Sequence, residues 1–324
     1  MSRIITYREA LREALAARMQ ADPKLLLIGE DIGLYGGAFG VSRGLIERFA
    51  SQIIETPISE NGFVGVALGA AMGGYRSVVE IMFSDFVTLA MDQIVNHAAK
   101  IGYMYAGQLK VPLIVRLPSG GGRGYGASHS QSLEAWFAHV PGLVVLCPSN
   151  AADAKGLMNA ALDEDSPVIF IENKLLYDAK SVVPEEDYRV PIGKARIVRD
   201  GADLTIVSYG RMVGLALDVA ERMAELGQEV EVLDLRSLKP IDAEAIAQSV
   251  ERTGRLVVLS EAAPHVGIAA EVAAIAAERC WDCMTAPVLR LSALDTPIPS
   301  STRLESHVFP TVDGVVEAIV EAFP

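Results

Sequence analysis

The sequence is poor in cysteine, lacks a long apolar run and carries fewer basic than acidic side chains. Its 324 residues include three cysteines, too few for a disulfide framework. Lysine and arginine number 28 against 41 aspartates and glutamates, a net charge of −13. This argues against binding to nucleic acid or to an anionic membrane surface. No run of about 18 strongly apolar residues occurs, which argues against a membrane span. Residues 1–6 have no signal-peptide pattern, so we expect a cytoplasmic protein.

Several motifs that would indicate a nucleotide or metal site are also missing. The glycine-rich segments Gly29–Gly40 and Ser119–Gly126 do not read G-x-G-x-x-G, and Gly193–Ala195 does not complete a P-loop. There is no Gly-Asp-Gly pattern of the kind that holds a magnesium diphosphate. The single C-x-x-C at Cys280–Cys283 has no second ligand pair for zinc. Helix-end packing is the interpretation that we favour for it.

Apolar runs alternate with helical patterns along the chain, which indicates parallel sheets covered by helices. We predict strands near Leu25–Ile28, Ile53–Thr56, Ser77–Phe83, Val111–Arg116, Leu143–Cys147 and Val168–Glu172. We predict helices near Gly62–Gly73, Phe86–Tyr103, Ser132–His139 and Ala151–Leu162. Thr6 and Glu9 form a capping-box pattern that opens an earlier helix.

The periodicity lapses between about 173 and 201, where residues 182–187 are predicted to be a solvated linker. A second alternating series begins at Leu204 and ends with a helix over Val312–Phe323. The predicted fold class is therefore α/β, with two doubly wound domains at 1–190 and 191–324.

Glu60 stands where an apolar strand gives way to a helix with glycines on one face. Those glycines are Gly62, Gly65, Gly69 and Gly73. Each glycine costs about 1 kcal/mol relative to alanine inside a helix, so the stripe indicates close approach of another backbone. A carboxylate shielded beside such a contact can carry protons near neutral pH. The alternative is a helix-end carboxylate that only favours the helix dipole.

His129 and Phe86 are two further candidates, because each follows the end of a predicted strand, where ligands bind in α/β sheets. His129 follows the glycine-rich loop, and a histidine there can exchange protons near pH 7. Phe86 could stack on a planar ligand. A structural loop histidine and a core phenylalanine are the alternatives.

Ordered sequence blocks resemble the beta subunit of the thiamine-diphosphate-dependent first component of 2-oxo acid dehydrogenase complexes. The blocks include Leu27–Asp31, Val41–Leu45, Thr56–Glu60, Met91–Ile94, His129–Gln131, Pro141–Leu143, Asp153–Leu157 and Asp234–Arg236. The resemblance implies a transketolase-like pyrimidine-binding domain followed by a transketolase C-terminal domain. It implies that Glu60 hydrogen-bonds the aminopyrimidine ring of thiamine diphosphate, that Phe86 packs on that ring, and that His129 is the active-site histidine.

The resemblance also implies a site for a monovalent cation, with K⁺ as the expected ion, around Leu113 and Ala161–Ser166. Its residues would be Leu113, Ala161, Leu162, Glu164 and Ser166. Glu164 and Ser166 replace the Asp and Asn that are commoner in the family.

By the same resemblance, Mg²⁺ is held mainly by a separate alpha subunit, and two alpha and two beta subunits form the assembly. A lipoyl-bearing acyltransferase is the further partner. The implied reaction is oxidative decarboxylation of a 2-oxo acid, pyruvate first, with acyl transfer to a lipoyl group; branched-chain 2-oxo acids and acetoin remain open. Two alternatives are the C-terminal half of a split transketolase-like enzyme and a non-catalytic assembly partner.

Overall fold

A computed structural model describes residues 2–323 of the chain. By their internal contacts, residues up to 119 group with 136–192, and residues 120–135 group with those from 193 onward. No helix within residues 2–323 is long and apolar enough to span a bilayer.

The first unit is built around parallel strands with helices beside them. The strands up to residue 192 are β1 Ser2–Thr6, β2 Leu25–Gly29, β3 Ile53–Glu55, β4 Arg76–Glu80, β5 Leu113–Ser119, β6 Val144–Leu146, β7 Val168–Asn173 and β8 Lys180–Pro184. The α-helices of the same stretch are α1 Tyr7–Ala21, α2 Leu45–Phe49, α3 Glu60–Met72, α4 Ala99–Met104, α5 Glu134–His139 and α6 Ala151–Ala161. Six strands lie in the order β6-β7-β5-β4-β2-β3, all parallel.

The predicted α/β class is confirmed, and so is the capping box that opens α1. The Thr6 hydroxyl accepts from the Glu9 backbone N–H, and the Glu9 carboxylate accepts from the Thr6 N–H. Every residue of β2 is buried, as expected for a central parallel strand covered on both faces. Helix α1 packs against α6 over the sheet.

The prediction of a solvated linker at 182–187 is wrong in its first half. Val182 to Pro184 belong to β8, which pairs antiparallel with β1 at the start of the chain. Val183 is fully buried, whereas Glu185 and the two acidic residues after it are exposed. The partner strand lies far away in sequence, so local periodicity carried no sign of the pairing.

The predicted helix over 86–103 is also corrected. Ser84–Ala90 form 3-10 turns, Asp92–Ala98 form a π-helix, and only α4 is regular α-helix. A π turn follows an i→i+5 pattern and is wider than an α turn. Because the three helix types keep an apolar face over a short stretch, the sequence pattern did not separate them.

The second unit contains a smaller sheet with its own core. Its strands are β9 Arg196–Arg199, β10 Leu204–Ser208, β11 Val230–Asp234, β12 Ser237–Lys239, β13 Leu256–Leu259 and β14 Leu289–Leu291. Its helices are α7 Met212–Glu225, α8 Ala243–Thr253, α9 Ile268–Arg279, α10 Thr302–Glu305 and α11 Val312–Ala322. The sheet order is β14-β13-β10-β11-β9, parallel except at β9. A separate apolar cluster joins α7 and α11 to this sheet.

Candidate active site

Glu60 is the first residue of α3 and lies just beyond the carboxyl end of β3. It is buried, with 5% of its surface exposed. The strand register pairs Gly29 of β2 with Glu55 of β3, and the Thr56 N–H donates to the Gly29 carbonyl at 3.0 Å. The residues that follow these two strands therefore emerge side by side. The position is the crevice outside the carboxyl ends of parallel strands, where α/β proteins bind ligands.

Glu30, the residue after β2, is a second buried carboxylate at this place. Burial, together with the negative charges of Glu60 and Asp31, raises the pKa of Glu30 to about 7. Its Oε1 is buried and has no hydrogen-bond partner among the residues that the structure describes. Near neutral pH, Glu30 can therefore hold a proton beside Glu60.

Sequence reasoning missed Glu30 as a site residue. The signal was present, because Glu30 follows a fully apolar strand run within the block Leu27–Asp31. Its importance depends on the register of β2 against β3, which places it near Glu60. That register is a property of the sheet and is not visible in either strand alone.

Phe86 lies in the 3-10 turns that follow β4, and α3 packs against those turns. Its ring meets the edge of Phe83 at a centroid distance of 6.0 Å. Phe83 in turn contacts Phe39 edge-on at 5.6 Å, and Phe39 stacks on Tyr177 at 4.9 Å. Lys174 lies 5.1 Å above the Phe83 ring. Phe86 is thus the outer member of an aromatic column in the first unit.

The column ends at a buried ion cluster that the sequence analysis did not identify. Arg116 donates to both oxygens of Glu172 at 2.7 Å and also to Glu80, and Tyr177 donates its hydroxyl to Glu172 at 2.7 Å. Arg116 and Glu172 are fully buried. Burial raises the pKa of Glu80 and, more strongly, that of Tyr177. The sequence does contain a signal for this cluster, because Arg116 is a charged residue inside the apolar run of β5.

His129 belongs to the second unit, whereas Glu60 and Phe86 belong to the first. It is half-buried and follows a glycine loop that begins where β5 ends. Its backbone N–H donates to the Gly126 carbonyl at 3.2 Å, and its Nδ1 lies 3.0 Å from the Ser128 hydroxyl. The loop therefore fixes the backbone of His129 while its ring has a local polar partner.

The predicted cation site lies in the first unit, at the start of β5 and along the segment that leads from the end of α6 to β7. Its members are Leu113 at the start of β5, Ala161 and Leu162 at the end of α6, and Glu164 and Ser166 before β7. The Ala161 carbonyl accepts from the Glu164 N–H at 3.2 Å, and the Glu164 carbonyl accepts from the guanidinium of Arg76. Across residues 2–323, no group of three His, Cys, Asp or Glu side chains forms a metal-binding cluster. The cation site stays a prediction.

Family comparisons match two consecutive segments of the chain. The family described as transketolase, pyrimidine binding domain, matches residues 3–180, and the transketolase C-terminal domain matches residues 193–315. A solved structure described as a split gene transketolase, inactive beta4 tetramer, aligns with a TM-score of 0.81. Its sequence identity is 25%, and the alignment covers 98% of each chain.

Curated relatives are more similar in sequence. The chain is 45% identical over 98% of its length to subunit beta-2 of the pyruvate dehydrogenase E1 component from Oryza sativa subsp. japonica, covering 86% of that protein. It is 42% identical over 99% of its length to the acetoin:2,6-dichlorophenolindophenol oxidoreductase subunit beta of Bacillus subtilis, covering 98% of that protein. The chain therefore belongs to the family of beta subunits of the thiamine-diphosphate-dependent first component of 2-oxo acid dehydrogenase complexes.

Proposed function

We propose that this chain supplies the pyrimidine-binding half of a thiamine diphosphate site in a dehydrogenase that acts on pyruvate. The observation that carries the proposal is the pair of buried carboxylates, Glu30 and Glu60, at the ends of adjacent strands. Relatives named as pyruvate dehydrogenase E1 beta subunits support the choice of pyruvate.

The residues present fit an aminopyrimidine ring. Such a ring offers nitrogen atoms that share a proton with a carboxylate, and a flat apolar face. Glu60 is the carboxylate that hydrogen-bonds the ring nitrogen, and Glu30 holds a proton next to it. The buried Glu30 Oε1 has no hydrogen-bond partner among the described residues, so it is available to a ligand. Phe86 packs on the face of the ring. When bound, thiamine diphosphate supplies the electron sink that decarboxylation of a 2-oxo acid requires.

The chain's own residues then have distinct tasks. Glu60 holds a proton at the ring nitrogen, and burial keeps water from competing for that proton. Glu30, with a pKa of about 7, can supply or accept a proton near neutral pH. His129 binds the carboxylate of the 2-oxo acid and assists acyl transfer to a lipoyl group.

The assembly is part of the proposal. This sequence has no Gly-Asp-Gly pattern, so an alpha subunit holds Mg²⁺ and the diphosphate, and the beta chain alone is inactive. The glycine face of α3 is suited to a subunit contact, because a Cβ at Gly69 would meet nothing within 4 Å inside this chain. Met72 on the same helix and Met104 on α4 are exposed apolar side chains that line one groove with Gly69. We propose an assembly of two alpha and two beta subunits in the cytoplasm, with a lipoyl-bearing acyltransferase as its partner.

Glu60→Gln in the chain co-purified with its alpha subunit tests the proposal. We expect pyruvate-dependent reduction of an artificial electron acceptor to fall about 100-fold or more, the usual contribution of a positioned proton-transfer group. Glu47→Gln, at an exposed position in the first unit, is the matched control and should leave the rate unchanged. Size-exclusion chromatography checks that both variants assemble. A Glu60→Gln assembly with normal turnover would refute the role of the carboxylate pair.

The structural likeness to a split transketolase favours one second candidate, a half-enzyme that forms ketoses. The same purified assembly should be given a ketose phosphate with an aldose acceptor. Activity there, without activity on pyruvate, branched-chain 2-oxo acids or acetoin, would replace the dehydrogenase proposal. Inactivity with every substrate would favour a non-catalytic assembly partner.

A further inference from the structure

The glycine loop before His129 has an unusual backbone pattern. Gly120, Gly122, Gly124 and Gly126 all have positive φ, at +88°, +92°, +69° and +79°. A backbone that alternates in this way turns successive N–H groups toward one side and forms a concavity, or nest, that binds anions. The loop is therefore built to bind negative charge through its main chain.

A carboxylate of the same unit already occupies this nest. Glu305 Oε1 accepts from the Gly122 N–H and Oε2 accepts from the Gly124 N–H, each at 2.7 Å. Only 2% of the surface of Glu305 is exposed. Each carboxylate oxygen of Glu305 accepts a hydrogen bond from one of the two N–H groups. Hydrogen bonds from N–H groups to a carboxylate are stronger than those to a neutral acceptor. Burial strengthens them further, because water cannot compete.

A second carboxylate holds the residue just before those two contacts. The Gly121 N–H donates to Glu261 Oε1 at 2.8 Å, and Arg211 donates to Glu261 Oε2 at 2.8 Å. A Cβ at Gly121 would lie 2.4 Å from the Phe309 ring. At Gly121 the loop thus lies directly against the segment that carries Glu305, with no room for a side chain at that position.

The nest is connected to His129 through the backbone. The Gly120 N–H donates to the Gln131 carbonyl at 3.3 Å, which closes residues 120–131 into a loop. Within it, the His129 N–H donates to the carbonyl of Gly126, the last glycine of the alternating series. A change in the glycine backbone would therefore move His129.

We propose that Glu305 is a positioning residue for His129, acting as an internal anion that fills the nest and sets the loop's conformation. The positioning of His129 for catalysis rests on the role that the proposed function gives to His129. The effect of Glu305 on the conformation of the loop does not depend on that role. Glutamine at position 305 has one carbonyl oxygen, so it can accept from one loop N–H while its own amide group faces the other. Alanine leaves the nest empty and open to a small anion.

The test uses Glu305→Ala in the beta chain assembled with its alpha subunit, with Glu317→Ala as control because Glu317 is exposed on α11. The first readout is amide hydrogen exchange of residues 120–131. We expect exchange in Glu305→Ala to rise about tenfold or more, which is the scale of losing charge-assisted hydrogen bonds. The control should exchange like the wild-type chain.

Rescue separates a charge effect from lost packing. Formate should slow exchange in Glu305→Ala in a concentration-dependent way, because it can fill the nest, whereas formamide has the same size without the charge and should not. Equal rescue by both compounds, no rescue by formate, or unchanged exchange in the variant would overturn the proposal. If Glu305→Ala fails to assemble, amide hydrogen exchange is measured in Glu305→Gln instead. An exchange rate in Glu305→Gln equal to that of the wild-type chain would also overturn the proposal.

The rate of acyl transfer tests whether the loop positions His129. In Glu305→Ala, acyl transfer to a lipoyl domain should fall about tenfold and recover with formate. Recovery of the loop without recovery of transfer would overturn the positioning role. Hydrogen exchange needs no turnover, so failure of the Glu60→Gln prediction and failure of the Glu305 proposal are distinguishable.

Discussion

The raised pKa of Glu30 predicts that stability of the protein depends on pH in an unusual direction. The folded-state pKa is about 7, against an ordinary value of 4.5. Between these two values the folded state binds a proton that the unfolded state has released. Stability from this group is therefore complete below about pH 4.5 and is lost as pH rises through 7. The difference between the two pKa values corresponds to at most about 3 kcal/mol, because solvent near the carboxylate screens part of the effect.

Glu30→Gln should remove this dependence, because glutamine stays neutral in both states. We expect the free energy of unfolding of the variant, relative to wild type, to rise by up to about 3 kcal/mol from pH 4 to pH 8. The substitution would thus stabilise the protein in alkaline solution while removing a candidate active-site acid. Such an opposition between stability and activity is common at functional sites.

Urea unfolding at fixed protein concentration, repeated from pH 4 to pH 8, measures the effect. The concentration must be fixed because subunit association changes apparent stability. Glu47→Gln is the matched control, since Glu47 is exposed on α2. Parallel pH profiles for wild type and Glu30→Gln would refute the reasoning, since they would show that Glu30 ionises alike in both states.

Two further substitutions test the first unit by urea unfolding. Arg116→Met should cost about 3–5 kcal/mol, because it leaves Glu80 and Glu172 buried without their shared cation; a loss below about 1 kcal/mol would contradict the structural role of the cluster. Thr6→Ala should cost about 1 kcal/mol, because it removes the hydroxyl of the capping box at the start of α1, and an unchanged midpoint would show that the cap is redundant.

Features that depend on local sequence were predictable. The capping box at Thr6 was confirmed because both of its hydrogen bonds join residues three apart. The start of α3 at Glu60 followed from an apolar run that gives way to a helical pattern. Alternation of strands and helices identified the α/β class, because strand and helix periods differ clearly along the chain.

Features that depend on distant pairing were not predictable. The partnership of Glu30 with Glu60 depends on sheet register, and the Arg116 cluster depends on the neighbouring positions of β4, β5 and β7. The carboxylate of Glu305 meets a loop that lies far before it in sequence. No periodicity over ten or twenty residues contains such information, since each contact joins segments that the fold brings together.

The pairing of β1 with β8 has a consequence for how the chain folds during synthesis. Thr6 pairs with Lys180, so the first strand leaves the ribosome about 170 residues before its partner. At about 5–20 residues per second, roughly 10–35 s pass before the two can meet. Over that interval β1 is an unpaired strand edge that other chains can pair with. The nascent chain is therefore most exposed to wrong association before residue 184 emerges, and a chaperone that covers its first residues would act in that window.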